Sequence, residues 1–191
     1  KTAFVLSLAR NVAVDFEKGV AFFSLEMSAE QLMMRLIVGE SGLDSRDVRN
    51  GQLTPEQWKH LESSIKPLAG APLFIDDTPA LSIYEFRSKV RRLKTQYDIQ
   101  LVIIDYLQLM SGGKRSESRQ QEISEISRSL KALAREMNAP VIALSQLSRR
   151  VEERKPAKPM LSDLRESGSI EQDADAVSYT HLRAHETLSD L

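Results

Sequence analysis

Three apolar runs constrain this chain more than any other feature: Val20-Ala21-Phe22-Phe23-Ser24-Leu25, Leu101-Val102-Ile103-Ile104-Asp105 and Val141-Ile142-Ala143-Leu144-Ser145. Successive residues in each are hydrophobic, so both faces of an extended segment are apolar and both need cover. Each run ends in polar residues. A shorter run, Leu73-Phe74-Ile75-Asp76, adds a fourth. Between the runs lie amphipathic stretches long enough for helices, notably Ser82 to Tyr97 and Glu117 to Asn138. Strands that alternate with helices predict an α/β fold with a mostly parallel central sheet flanked by helices.

Local signals agree with that order. Thr54-Pro55-Glu56-Gln57 combines an N-cap, a proline at the first helical position and a glutamine at the third, which starts a helix running toward Pro67. Ser28-Ala29-Glu30-Gln31 does the same directly after a strand. Gly112-Gly113-Lys114-Arg115-Ser116 and the stretch from Arg149 to Pro159 are polar, charged and rich in helix breakers. Both read as loops beside the carboxyl ends of strands, the edge where open α/β sheets bind ligands.

At 191 residues, 41% hydrophobic and 28% charged, the chain suits one domain that buries a core without cross-links. The absence of cysteine excludes disulfides, thiolate metal sites and a cysteine nucleophile, and His60, His181 and His185 are not at ligand spacing. No apolar run approaches bilayer-spanning length, so a soluble, cytosolic chain is expected, with no membrane partner. A net charge of −1 argues against coating nucleic acid through overall positive potential. Phosphate contacts, if made, are local, and a few loop residues multiplied around a ring suffice.

Polar residues follow the strands in a chemically suggestive order. Lys1-Thr2, leading into Ala3-Phe4-Val5-Leu6, has the form of the last two positions of a phosphate-binding P-loop, in which lysine reaches the β- and γ-phosphates and the hydroxyl binds Mg2+. Taken alone, the dipeptide carries almost no information and fits an arbitrary N-terminus. Asp105 closes an aliphatic strand, as a Walker B aspartate does to hold magnesium, although a turn former or helix cap has the same form. Glu26, just past Leu25, suits a carboxylate that orients the water attacking a γ-phosphate, or one that favours the positive end of the following helix. Gln146 either hydrogen-bonds a γ-phosphate and senses its loss or caps its strand. Four such groups at one sheet edge are what a nucleotide hydrolase needs.

Three segments carrying these residues, Phe23-Ser24-Leu25-Glu26-Met27-Ser28, Ile103-Ile104-Asp105-Tyr106-Leu107-Gln108-Leu109-Met110 and Ala143-Leu144-Ser145-Gln146-Leu147-Ser148-Arg149, resemble consecutive motifs of DnaB-type replicative helicases. A fourth block, Ser162-Asp163-Leu164-Arg165-Glu166-Ser167-Gly168-Ser169-Ile170-Glu171-Gln172-Asp173-Ala174-Asp175, extends the resemblance to about Val177. It implies a RecA-like P-loop ATPase core. It also implies a hexameric motor that uses ATP and Mg2+ to move 5′ to 3′ along single-stranded DNA. Under it, Glu26 is the catalytic base, Lys1 and Thr2 hold nucleotide and metal, Asp105 holds the metal, and Gln146 couples nucleotide state to the DNA loops. Arg165, Glu166 and Gly168 match the channel loop that grips the DNA backbone. Phosphate contact suits a motor indifferent to sequence, since glycine admits close backbone approach and arginine offers a fork. Arg165 equally suits pairing with Glu166 or Asp163. Primase and a helicase loader are the implied partners, through regions mostly absent from this chain.

The resemblance also marks what is missing. The P-loop glycines would precede Lys1, the collar domain would lie further upstream, and another strand and an arginine finger would follow Val177. Residues 178–191 are alien to the family and read as foreign sequence, so the motor is expected over residues 1–177 and this piece is expected to hydrolyse ATP poorly. Other RecA-like ATPases that do not unwind, and a non-catalytic ring subunit, are the alternative functions. Arg87, Lys89, Arg91, Arg92 and Lys94 read as a solvated or subunit-facing helix surface, and Met33, Met34 and Leu36 as core or interface packing.

Overall fold

The computed structural model describes residues 1–112, 118–147, 159–160, 163–164 and 168–179. Helix α1 (Thr2–Arg10) continues through a π-helical turn at Asn11–Asp15 into strand β1 (Gly19–Ser24). Three helices follow, α2 (Ala29–Ser41), α3 (Ser45–Asn50) and α4 (Pro55–Ala69), then β2 (Leu73–Asp76), α5 (Ile83–Tyr97) and β3 (Ile99–Asp105). A short 3-10 turn at Leu107–Leu109, α6 (Arg119–Met137), β4 (Val141–Ala143) and α7 (Gly168–Asp173) complete the order. All three strand pairings are parallel, in the order β2-β1-β3-β4, so every strand ends at the same edge. The α/β expectation holds.

The alternation along β1 and β3 divides the core in two. Ala21, Phe23, Val102 and Ile104 face α5 and α6, where they meet Phe86, Val90, Ile123 and Ile126. Val20, Phe22, Leu101 and Ile103 face the other way, onto Val5, Leu6 and Ala9 of α1 and Leu32 and Leu36 of α2. Period-two side chains and helices on both faces thus explain why these strands are continuously apolar. Gly19 is needed for closeness: a Cβ there would lie 3.0 Å from the Tyr97 carbonyl oxygen and 3.2 Å from that of Asp98.

Helix starts follow their caps. Ser28, Thr54 and Ser82 each form a reciprocal capping box with Gln31, Gln57 and Glu85. Several boundaries differ from expectation. The third apolar run is a strand only to Ala143, and the first pairs from Gly19 to Ser24, so Leu25 lies outside it. Pro67 does not end α4, which runs on to Ala69 and closes at Gly70. A proline late in a helix removes one N–H, and its cost is smallest where few turns remain to be disrupted.

Most of the basic residues of α5 are paired within the chain, while Arg92 is exposed. Arg91 meets Glu136 of α6 at 2.6 Å, Arg87 meets the same carboxylate at 3.5 Å, and Lys94 meets Asp98 at 3.0 Å. Leu36 is buried, whereas Met33 stays partly exposed and Trp58 is half exposed. Among the described residues no helix is long and apolar enough to cross a membrane.

Lys89 donates to Asp76 at 2.5 Å and to Thr78 at 2.7 Å, which ties edge strand β2 to α5. Burial by itself raises the Asp76 carboxyl, but hydrogen bonds from Lys89 and Thr78 outweigh it and hold the group below the usual carboxylate range. A carboxyl depressed in the folded state contributes stability above its unfolded value near ~4, and that contribution is lost as pH falls through the folded value. Lys89→Gln should therefore cost about 1 kcal/mol at neutral pH, screened by partial exposure. Urea melts of both proteins from pH 7 downward should converge at the acid end; a constant offset would show that Asp76 is not the partner that matters.

Candidate active site

Because the strands are parallel, the groups that follow them meet at one edge. Order β2-β1-β3-β4 means the chain steps outward from β1 to β2, then returns past β1 to β3, and ligands favour the crevice where that direction reverses. A cavity of about 210 Å³ lies there, lined by Lys1, Thr2, Glu26, Asp105, Tyr106, Leu144, Ser145 and Gln146. All five strand-edge and helix-start residues singled out in the sequence reach it. A larger open hollow of about 1080 Å³ lies between α1, α2 and α3, but it holds the Arg10–Glu40 ion pair and none of the strand-end groups.

Each wall has a local cause. Lys1 and Thr2 start α1, so the unpaired amides and positive dipole end of that helix point at the cavity. Lys1 Nζ donates to the Ser145 carbonyl at 2.7 Å. Partial burial lowers the Lys1 pKa below its ordinary value, and the nearby Asp105 charge opposes this only in part. Glu26 sits two residues past β1 in a bend held by Ser24, whose buried hydroxyl donates to the Met27 carbonyl at 2.6 Å and accepts the Met27 N–H at 3.3 Å. The amide of Leu25 bonds the Asp105 carbonyl at 2.7 Å. The exposed Glu26 side chain is thereby turned toward the cavity rather than along the strand.

Asp105 is 2% exposed, and its Oδ2 has no hydrogen-bond partner among the described residues. A buried carboxylate oxygen left bare is costly unless something compensates it. The Asp105–Tyr106 peptide is cis. Carboxylate and hydroxyl are the hard oxygen donors Mg2+ takes, and with Thr2 lining the same cavity they fit that ion. Among the described residues no cluster of three or more His, Asp or Glu could hold a metal alone, so such an ion would draw its remaining oxygens from water and substrate phosphates.

Gln146 does not end a strand. It lies three residues past Ala143, in a segment that keeps strand-like bonds to its neighbour: Leu144 N–H to Ile104 O at 2.9 Å and Leu107 N–H to Leu144 O at 2.8 Å. Its side chain is exposed and free to face a ligand.

The family model for the DnaB-like helicase C-terminal domain matches residues 1–189. The chain belongs to this family. It is 55% identical over 182 residues to the replicative DNA helicase DnaB of Geobacillus stearothermophilus and 52% identical to the replicative DNA helicase DnaC of Bacillus subtilis (strain 168). Each alignment covers 95% of this chain and 40% of the relative, so the chain spans two fifths of their length. Among solved structures, an ATPase domain is 42% identical with a TM-score of 0.85 over 92% of this chain and 63% of that one. A DnaB-like replicative helicase, solved in a study of its interactions with primase, has a TM-score of 0.84 at 42% identity over 91% of this chain and 42% of its own. These matches establish the RecA-like ATPase fold of the DnaB-like domain.

The fourth block is described in part. Arg165 and Glu166 lie outside the described residues, whereas Gly168 opens α7. Leu164 and Asp163 are buried, and α7 returns to α6, where Ser127 donates to Asp173 at 2.6 Å, Lys131 pairs with Asp175, and Ile170 packs on the core. The second half of this block is thus anchored to one long helix.

Two residues that shape the cavity carried no signal of their own in the sequence. Ser24 reads as part of an apolar strand, and Gln108 as one polar residue in a turn. Gln108 holds the backbone of Gln146 from both sides: its Nε2 donates to Gln146 O at 3.3 Å and to Ser145 Oγ at 2.8 Å, while its Oε1 accepts the Gln146 N–H at 3.2 Å. Only a contact between residues 38 apart reveals that role.

If the bare Asp105 oxygen is a cost borne for binding, Asp105→Asn should stabilise the ligand-free protein by about 1 kcal/mol while removing Mg2+-dependent nucleotide binding. Thermal melts with and without Mg2+ and ADP check this; a variant less stable than wild type without ligand would show that the carboxylate is satisfied in solution.

Proposed function

We propose that this chain is the motor of a replicative DNA helicase that acts as a homohexamer in the cytoplasm, hydrolysing ATP with Mg2+ to move 5′ to 3′ along single-stranded DNA and open duplex. The reading rests on one observation above all: Lys1, Thr2, Glu26, Asp105 and Gln146 line a single cavity at the carboxyl edge of a DnaB-like domain.

The roles follow from the chemistry of each group. Lys1 leaves the Ser145 carbonyl and neutralises charge on the β- and γ-phosphates, a transfer eased by its weak, neutral acceptor. Thr2 Oγ1 and the bare Asp105 oxygen would hold Mg2+, which would screen the phosphate oxygens and steady charge in the transition state. Glu26 accepts a proton from the water that attacks the γ-phosphorus. Gln146 hydrogen-bonds the γ-phosphate and releases it when phosphate departs. An arginine from the next subunit completes each site, so turnover depends on the ring. Arg165, Glu166 and Gly168, with the loop after Gly112, contact the DNA backbone, and primase and a loader bind through other regions of the whole protein. Opening a base-pair step costs about 1.4 kcal/mol, well within reach of one ATP. We take residues 1–177 as the motor and give 178–191 no role in it.

The full-length protein should show DNA-stimulated ATPase and unwind a forked duplex bearing a 5′ tail, both abolished by EDTA. Glu26→Gln should lower hydrolysis by about 100-fold or more while nucleotide binding persists. ATP turnover without strand opening would instead favour a RecA-like ATPase that is not a helicase, and wild-type-like turnover by Glu26→Gln would remove the assigned base.

A further inference from the structure

The cavity and Gly112 lie at opposite ends of the short segment after β3, and side chains join them. Half-buried Gln108 clamps the backbone of Gln146 through both its amide atoms. The carbonyl of Gln108 in turn accepts from Arg119 Nη2 at 2.5 Å, and the same guanidinium reaches the Met110 carbonyl at 3.3 and 3.4 Å. Arg119 pairs with Glu122 one turn further along α6, and Glu122 Oε1 accepts the Gly112 N–H at 2.6 Å. Contact at Gly112 is tight enough that a Cβ there would lie 2.8 Å from Glu122 Cγ.

We propose that Gln108 is a positioning residue that couples the nucleotide-sensing position, Gln146, to the backbone at Gly112 through Arg119 and Glu122. The inference rests on the function proposed above, in which Gln146 meets the γ-phosphate and the stretch after Gly112, which lies outside the described residues, meets DNA. Gln108 itself does not line the cavity, so its effect passes through the backbone it holds. The geometry favours transmission over simple bracing for two reasons. First, the two hydrogen bonds from the Gln108 amide to the Gln146 backbone oppose its rotation, so a shift of Gln146 carries Gln108 with it. Second, Arg119 bonds carbonyls on both sides of Leu109, so a displaced Gln108 carbonyl loads the guanidinium and, through it, Glu122. Ser111, whose amide and carbonyl are clasped by Leu81 and Ile83 at 3.2 and 3.0 Å, holds the backbone between them in place. With the main chain pinned at Ser111, the side-chain route is the one left to carry a change from Gln108 to Gly112.

Coupling between two binding sites is a ratio of affinities, so it is read directly. In the full-length protein, the dissociation constant for a fluorescent single-stranded oligonucleotide is measured with ADP and with a non-hydrolysable ATP analogue, and the ratio of the two is compared among variants. Gln108→Ala should bring the wild-type ratio, expected at about 5-fold or more, close to one. Its affinity for ADP, which lacks the γ-phosphate, should stay within about twofold, since coupling and binding are separate free energies. Arg119→Met, distant from the cavity, should do the same, and the double variant should lose no more than either single change. A Gln108→Ala protein that keeps the wild-type ratio overturns the inference alone, and so does one in which ADP binding collapses together with the ratio, because that marks a merely structural role. A wild-type protein that binds the oligonucleotide equally in both nucleotide states would overturn the proposed helicase function as well.

Discussion

Everything at the site depends on two strands being buried on both faces. Once β1 and β3 are covered by α1 and α2 on one side and α5 and α6 on the other, their register is fixed by packing: a slip of one residue would exchange Phe23 and Ile104 with Phe22 and Ile103 between two differently shaped half-cores. Register then sets chemistry. Ser24 lies opposite Asp105, so the bend that presents Glu26 and the carboxylate that ends β3 are neighbours by pairing alone. Parallel direction brings Asp76 and the segment after Ala143 to the same edge, and α1 sets Lys1 and Thr2 beside it. The polar groups need no attraction for one another to meet.

They meet at a cost in solvation that the attraction between Lys1 and Asp105 offsets only in part. Asp105 keeps a buried oxygen unpaired, and Lys1 sits where burial disfavours its charge, with a neutral carbonyl as its partner. Both conditions cost folding free energy, which the two apolar half-cores offset. Both are eased by a ligand carrying phosphates and a divalent cation, since the ammonium gains anionic partners and the bare oxygen a metal. A phosphate without its cation would bring negative charge toward Asp105, which is a physical reason for metal and nucleotide to arrive together under the proposed function.

Strands, caps and strand-end residues could be read from the sequence because their causes are local. Apolar runs declare burial, and Ser28 and Thr54 declare helix starts three residues ahead of Gln31 and Gln57. The shared motifs then placed Lys1, Thr2, Glu26, Asp105 and Gln146 together, and all five line the one cavity. Boundaries were harder to read, because Leu144 continues the apolar run and still bonds Ile104 and Leu107 although β4 itself ends at Ala143. Harder still were Ser24, Gln108, Arg119 and Glu122. A serine inside an apolar run and a glutamine in a turn look incidental until the tertiary fold brings their partners to them, and no periodicity encodes a bond from residue 108 to residue 146.

The boundary that ran short has a mechanical consequence. Had β4 extended through Gln146, the sheet ladder would hold that residue, and a change at the cavity would have to break strand pairing to move it. With the strand ended at Ala143, Gln146 is held instead by a side-chain amide, at distances of 3.2 and 3.3 Å, toward the long end of the hydrogen-bond range. Bonds of that length yield more readily than a buried ladder, and the group that holds them is itself tied to α6 and to Gly112. A rigid sheet thus delivers the reacting groups to one edge, while the residue proposed to report on the γ-phosphate sits just beyond it, where displacement costs little and is passed on.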